Sequence, residues 1–201
     1  MGWTEVPNKA SGDVFTEAMW DTYIKDNLNT GVAVQLDTFT TPDATYAQVD
    51  LSNISQSFAH LRVLCHLRGT YAGTGLSLRM RFNDDTTGPY DRQVQFANNA
   101  TITAGETLGG TFMYAGYVSG STAPANNFSP HIIDIMDYSA ADKNKSMVVQ
   151  YAQKAVASSG GLQISAMSGF WRSNAAITKL NFYLDSGNWA TGSVFSLYGM
   201  P

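Results

Sequence analysis

Apolar residues in the first thirty positions recur every three to four residues, and from residue 32 onward they recur at every second one. In the earlier stretch Trp20, Tyr23, Ile24 and Leu28 fall at i, i+3, i+4 and i+8, which is one stripe of a helix. Thr16 is placed to cap that helix, Glu17 and Asp21 stand where its dipole favours negative charge, and Gly31 is a natural C-terminal stop. Phe15 and Trp20 have the spacing of a hydrophobic staple. The pattern predicts one short helix over residues 16–29, preceded by an extended arm that holds Trp3, Pro7 and Gly12.

After Gly31 the strand period takes over. Residues 32–41 and 45–51 predict short strands separated by the turn signal Thr41-Pro42-Asp43. Over residues 60–68, Leu61, Val63, Cys65 and Leu67 point one way and His60, Arg62, His66 and Arg68 the other. Leu76, Leu78, Met80 and Phe82 repeat the alternation after Gly73-Thr74-Gly75, so the two runs predict a hairpin. Further strand-like runs cover residues 92–96, 110–118, 131–138, 145–152, 162–169, 177–184 and 193–198, divided by turn-rich stretches such as 119–130 and 185–192. Eight or more strands at this spacing predict a mainly β protein: a docking arm and short α-helix over residues 1–31, then one antiparallel, jelly-roll-like β-sandwich over residues 32–201.

Composition sharpens this picture. Of the 201 residues 44% are apolar and only 14% charged, with 10 Tyr, 10 Phe and 4 Trp, which suits strands and suits a subunit that covers much of its surface in an assembly. A net charge of −4 with no basic run argues against nucleic acid as a partner, since phosphate binding rests on clustered Lys and Arg. The single cysteine, Cys65, excludes a disulfide framework and sits in a strand pattern as a core thiol, in keeping with synthesis in a reducing cytoplasm. No run of eighteen apolar residues and no basic-then-apolar leader is present, so neither membrane insertion nor secretion is expected.

Candidate chemistry is sparse. His60 and His66 share a strand face but stand roughly 20 Å apart, too far for one metal, and no zinc spacing occurs. Asn83-Asp84-Asp85 lacks the later glutamate of a calcium loop and is expected to be a turn. No nucleophile elbow or phosphate loop is present, and a glycosidase would need two carboxylates that only the fold brings together. No cofactor is expected and catalysis is not. Tyr114, Tyr117, Tyr138, Trp171 and Trp189 could stack on sugar rings, with core packing and subunit contacts as their alternative duty.

Three stretches resemble small virion structural proteins of tailed bacteriophages. Near the N-terminus these are Gly2-Trp3-Thr4, Gly12-Asp13-Val14-Phe15-Thr16 and Lys25-Asp26-Asn27-Leu28-Asn29; in the middle, Arg81-Phe82-Asn83-Asp84-Asp85 with Tyr90. At the C-terminus they are Ile177-Thr178-Lys179-Leu180-Asn181-Phe182, Gly187-Asn188-Trp189-Ala190-Thr191-Gly192-Ser193 and Phe195-Ser196-Leu197-Tyr198-Gly199. The chain departs from the N-terminal signature at residues 5–9 and where Trp20 and Tyr23 stand. The resemblance implies a virion component, made in the host cytoplasm, displayed on the outside of the particle, usually a homotrimer, and docked to other virion proteins through its N-terminal segment.

Two placements follow from that. The first is a capsid decoration, cement or head-fibre protein held on the major capsid protein; the second is a tail fibre or tail-tip protein, beside tail or collar proteins, that recognises a host surface glycan or protein through residues 119–130 and 185–192. In either case Trp3, Phe15, Trp20, Tyr23, Ile24 and Leu28 are expected to form the docking interface, buried mainly against other chains or the base of the β-domain.

Overall fold

The computed structural model describes residues 32–156 and 161–201. The expected arm and helix, and with them Trp3, Phe15, Trp20, Tyr23, Ile24 and Leu28, lie outside the described residues.

Within the described residues the alternation in the sequence becomes twelve strands: β1 (Val34–Thr40), β2 (Gln48–Ser52), β3 (His60–Leu67), β4 (Gly75–Phe82), β5 (Tyr90–Asn98), β6 (Thr101–Gly110), β7 (Met113–Ser119), β8 (Ser129–Met136), β9 (Lys145–Lys154), β10 (Leu162–Trp171), β11 (Lys179–Leu184) and β12 (Val194–Met200). They form an antiparallel β-sandwich. The larger sheet has eight strands in the order β1-β12-β3-β8-β9-β10-β5-β6, and the smaller has four in the order β2-β11-β4-β7. The core lies between them. Leu61, Val63 and Leu67 of β3, Ile133 and Ile135 of β8 and Val149 of β9 face Leu78, Met80 and Phe82 of β4 and Leu180 and Phe182 of β11, all of them buried.

The expected hairpin between residues 60–68 and 76–82 does not form. β3 belongs to the larger sheet and β4 to the smaller, so the link between them crosses the sandwich. Each strand does bury the alternate set of residues its sequence displays. A period of two reports that one face is buried, and both sheets bury the same kind of face, so periodicity could not say which sheet each strand joins. The strands expected over residues 32–41 and 45–51 likewise separate into opposite sheets.

β6 carries no such signal. Its sequence, TITAGETLGG, offers two large apolar residues, and nine of its ten residues are exposed. It pairs with β5 as the last strand at one end of the larger sheet, and its inward-facing residues are as exposed as its outward-facing ones. On the inner side of that end the Arg92 guanidinium lies 4.4 Å above the Tyr114 ring. Gly116, in β7, has φ +114 and leaves room for the Tyr151 ring that a Cβ there would strike.

Two of the stretches that carry the phage resemblance meet in space. Asn83 and Asp84, both with positive φ, turn the chain after β4. The Asn83 side chain then accepts the Thr178 N–H at 2.9 Å and the Lys179 N–H at 3.1 Å. The Asn181 amide donates to Asp50 at 2.8 Å and to Asp84 at 2.7 Å, and the Lys179 ammonium sits 3.0 Å from both carboxylates. Burial alone would raise the Asp50 carboxyl, but hydrogen bonds from Asn181, Lys179 and Gln48 outweigh it and hold the group below its usual range. Tyr90 closes the turn: its hydroxyl accepts the Phe82 N–H at 2.9 Å and donates to the Asp85 carbonyl at 3.2 Å. Downstream, Trp189 is buried edge-on to Phe195 at 5.0 Å, and Phe195 tilts against Phe182 at 5.2 Å. These residues fasten β4 to β11 and the C-terminal strand to the core.

A candidate interaction face on the larger sheet

β8 and β9 contain adjacent apolar residues, Ile132-Ile133 and Val148-Val149, and successive strand residues point to opposite faces. One of each pair must therefore face away from the core. Ile133 and Val149 are buried, while Ile132 and Val148 are 40% and 45% exposed on the outer face. Register extends this into a band. Ile132 pairs with Leu64 on one side and Gln150 on the other, Gln150 with Ala166, Ala166 with Gln95, and Gln95 with Ala104. One step along the strands, Ile164 lies between Ala152 and Ala97, and Ala97 pairs with Ile102.

Ile132, Ile164, Ala166 and Ile102 of this band line an open groove of about 490 Å³ across β8, β9, β10, β5 and β6, with Pro130 at one wall and Gln95 and Gln150 contributing amides. Among the described residues no charged side chain lines it. The nearest charged row is the next one along the strands, where Arg62 pairs with Asp134 through bonds of 2.6 and 2.9 Å. A groove of this kind suits apolar contact with a few hydrogen bonds to amides.

The candidate groups named from the sequence are dispersed. His60 and His66 lie on the outer face as alternation requires, and His60 accepts the Asp137 N–H at 3.0 Å. His131 faces the core, fully buried and stacked on Tyr151 at 5.4 Å, with its Nδ1 3.2 Å from the Ser129 carbonyl. Burial lowers its pKa to about 4, so it is neutral at pH 7. Cys65 is buried, and that burial pushes its thiol far above the ordinary value. Among the described residues, no three of His, Cys, Asp and Glu converge in a metal-binding group.

Of the aromatics that could have stacked on sugars, Trp171, Trp189, Tyr138 and Tyr114 are buried. Trp171 donates its indole N–H to Asp85 at 2.8 Å and packs edge-on to Phe82 at 5.6 Å. Tyr117, half-buried, packs against Tyr114 and Tyr151. Core packing accounts for these residues. The 119–130 stretch is held from beneath by Arg68, whose guanidinium donates to the carbonyls of Pro124, Asn127 and Ala123 at 2.7, 2.9 and 3.0 Å and to that of Ser121 at 3.3 Å. The exposed aromatic beside it is Tyr71, whose carbonyl accepts the Ser121 N–H at 2.9 Å.

The outer face was missed because each strand was read for a single buried side. The doubled apolar residues at 132–133 and 148–149 are the signal that marks it, since a half-buried strand in water needs only one of each pair.

Neither a family model nor a curated protein matches the chain. Among solved structures, the galectin LEC-6 of Caenorhabditis elegans is similar over 79% of this chain and 94% of its own, at 12% identity and a TM-score of 0.35. Likeness at that level carries no weight for function.

Proposed function

We propose that this chain is a structural protein of a bacteriophage virion, displayed on the particle exterior as a capsid decoration protein and anchored through its N-terminal segment. The observation that supports a structural role is the apolar groove on the outer face of the larger sheet, lined by no charged side chain among the described residues, with Ile102, Ile132 and Ile164 exposed along it on a domain that already has an extensive core. Contiguous apolar surface of this sort marks a place where other protein is buried. The phage assignment rests on the sequence resemblance, and the jelly-roll-like reading of the sandwich goes with it. On this reading the protein stabilises the shell by covering apolar area on neighbouring virion proteins, and it performs no catalysis.

Immunogold labelling of intact particles tests the placement, and heating particles that lack the protein tests the role. Labelled heads, with heat resistance lost in the deficient particles, are the expected results. Deficient particles that keep full heat resistance and lose adsorption overturn the reading in favour of a tail-fibre protein. That second reading is favoured by Tyr71, 53% exposed beside Ser121 and Gly187 where the nominated receptor-binding stretches converge. It predicts glycan-array binding that Tyr71→Ala abolishes.

A further inference from the structure

We propose that β6 is a self-pairing edge through which two copies of this chain join their eight-stranded sheets about a two-fold axis. Four strands form the edges of the two sheets, and three of them carry devices that discourage a further strand. β1 is bulged between Gln35 and Asp37. β2 is five residues long, and its Asp50 is engaged by Lys179. β7 is buried along almost its whole length, with an irregular register against β4.

β6 has none of these over most of its length. It is ten residues long, exposed on both faces, free of proline and lysine, and charged only at Glu106. Its one irregularity is at the far end, where the register shifts between the Arg92–Thr107 and Tyr90–Gly110 pairs and Gly109 takes φ +68.

The strand's own sequence selects its partner. In antiparallel pairing about an axis perpendicular to the sheet, outer faces stay together, so even-numbered residues meet even-numbered ones. Centred on Gly105, that pairing sets Ile102 against Leu108, Thr103 against Thr107 and Ala104 against Glu106. Ile102 and Leu108 are 69% and 68% exposed, the two most exposed large apolar residues among those described. Centring on Ala104 would oppose Ile102 to Glu106, and centring on Glu106 would set two carboxylates directly opposite, which is destabilising. With Gly105 at the centre the two glutamates lie on the diagonal, roughly 7–8 Å apart. Apolar, threonine and charge patterns all favour one register. Ile102 also lines the outer groove, so the pairing joins the two grooves into one apolar trough that crosses both copies. This inference does not depend on the virion reading.

Cross-linking of the full-length chain tests it. A Gly105→Cys side chain would meet only the Val94 side chain at an ordinary 3.6 Å, and native Cys65 is buried. The proposed register brings the two residue-105 Cα atoms within the roughly 4.4–6.8 Å that a disulfide spans. Under oxidised glutathione, Gly105→Cys is expected to give a covalent dimer on a non-reducing denaturing gel, and Ile102→Cys alone to give none, because its copies lie about six residues apart along the strand. Combining Ile102→Cys with Leu108→Cys restores the cross-link. In sedimentation, the double variant Ile102→Lys/Leu108→Lys, altered only at exposed positions, is expected to weaken self-association about 100-fold or more. Failure of Gly105→Cys to cross-link, a stronger cross-link from Ile102→Cys alone, or association unchanged by the two lysines overturns the proposal.

Discussion

Both faces of the eight-stranded sheet carry branched apolar residues, and the faces differ in what covers those residues. On the inner face Val63, Ile133, Ile135 and Val149 are sealed by the four-stranded layer. On the outer face Ile132 lies between Leu64 and Gln150, Ile164 between Ala152 and Ala97, and Val148 between Asp134 and Ser168, with no second layer among the described residues. The inner set therefore contributes to folding of the single chain, and the outer set, already about half covered, has the rest of its burial still to gain, roughly 1 kcal/mol for each large side chain that a partner fully covers. An apolar residue in a strand says that something should cover it. It does not say whether that cover belongs to the same chain.

The largest expected effect is on the inner side. Phe182→Ala removes a buried ring between the sheets that packs on Phe195 and is expected to destabilise the chain by about 3–5 kcal/mol in urea denaturation. A loss below 1 kcal/mol would show that the inner face is not the load on which folding depends.

Next comes the buried histidine of that face. His131 has its folded pKa depressed to about 4, against about 6.5 when unfolded. Between those values the unfolded chain binds the proton and the folded chain does not. Its effect is therefore absent above pH 6.5, grows as pH falls, and is complete near pH 4, at a cost of about 3 kcal/mol. Urea midpoints measured from pH 7 to pH 4 should fall accordingly, and His131→Phe, which keeps a ring against Tyr151, should flatten that part of the profile.

Arg68 separates the core from the loops it carries. Replacing it by Met leaves four loop carbonyls without their donor and is expected to cost about 2 kcal/mol globally, with faster amide exchange over residues 121–127. Unchanged exchange there would mean that the loop holds its shape without the guanidinium.

The smallest effect on the isolated chain is expected on the outer face. Ile132→Ser and Ile164→Ser should each shift its stability by about 1 kcal/mol, while reducing retention of the protein on particles. If either destabilises the isolated chain as Phe182→Ala does, the outer face is already covered within the subunit and the contrast between the two faces is lost.

Much of the fold was legible in the residues. Alternation placed eleven strand segments within a few residues of where they lie and marked the buried side of β3 and β4, because a period of two in apolar residues has one physical cause, a half-buried pleated strand. The turn expected at Asn83-Asp84-Asp85 forms, with its asparagine and first aspartate in left-handed conformation. Core duty for Trp171, Trp189 and Tyr138 was equally readable as the alternative to sugar stacking. β6 escaped because a strand with no buried side has no period to detect.

Sequence by itself thus determined that the chain is mainly β, that most of its strands have one apolar side, and that its histidines and cysteine form no metal spacing. These are local properties, set by side-chain periodicity and by separation along the chain. Only the tertiary structure decided which strands share a sheet, that β3 and β4 part across the core, and that Leu64, Ile132, Gln150, Ala166 and Gln95 stand in one row. Those five residues come from five strands spread over about half the chain, and hydrogen-bonded register, between neighbouring hairpin strands and between strands distant in sequence alike, sets them side by side.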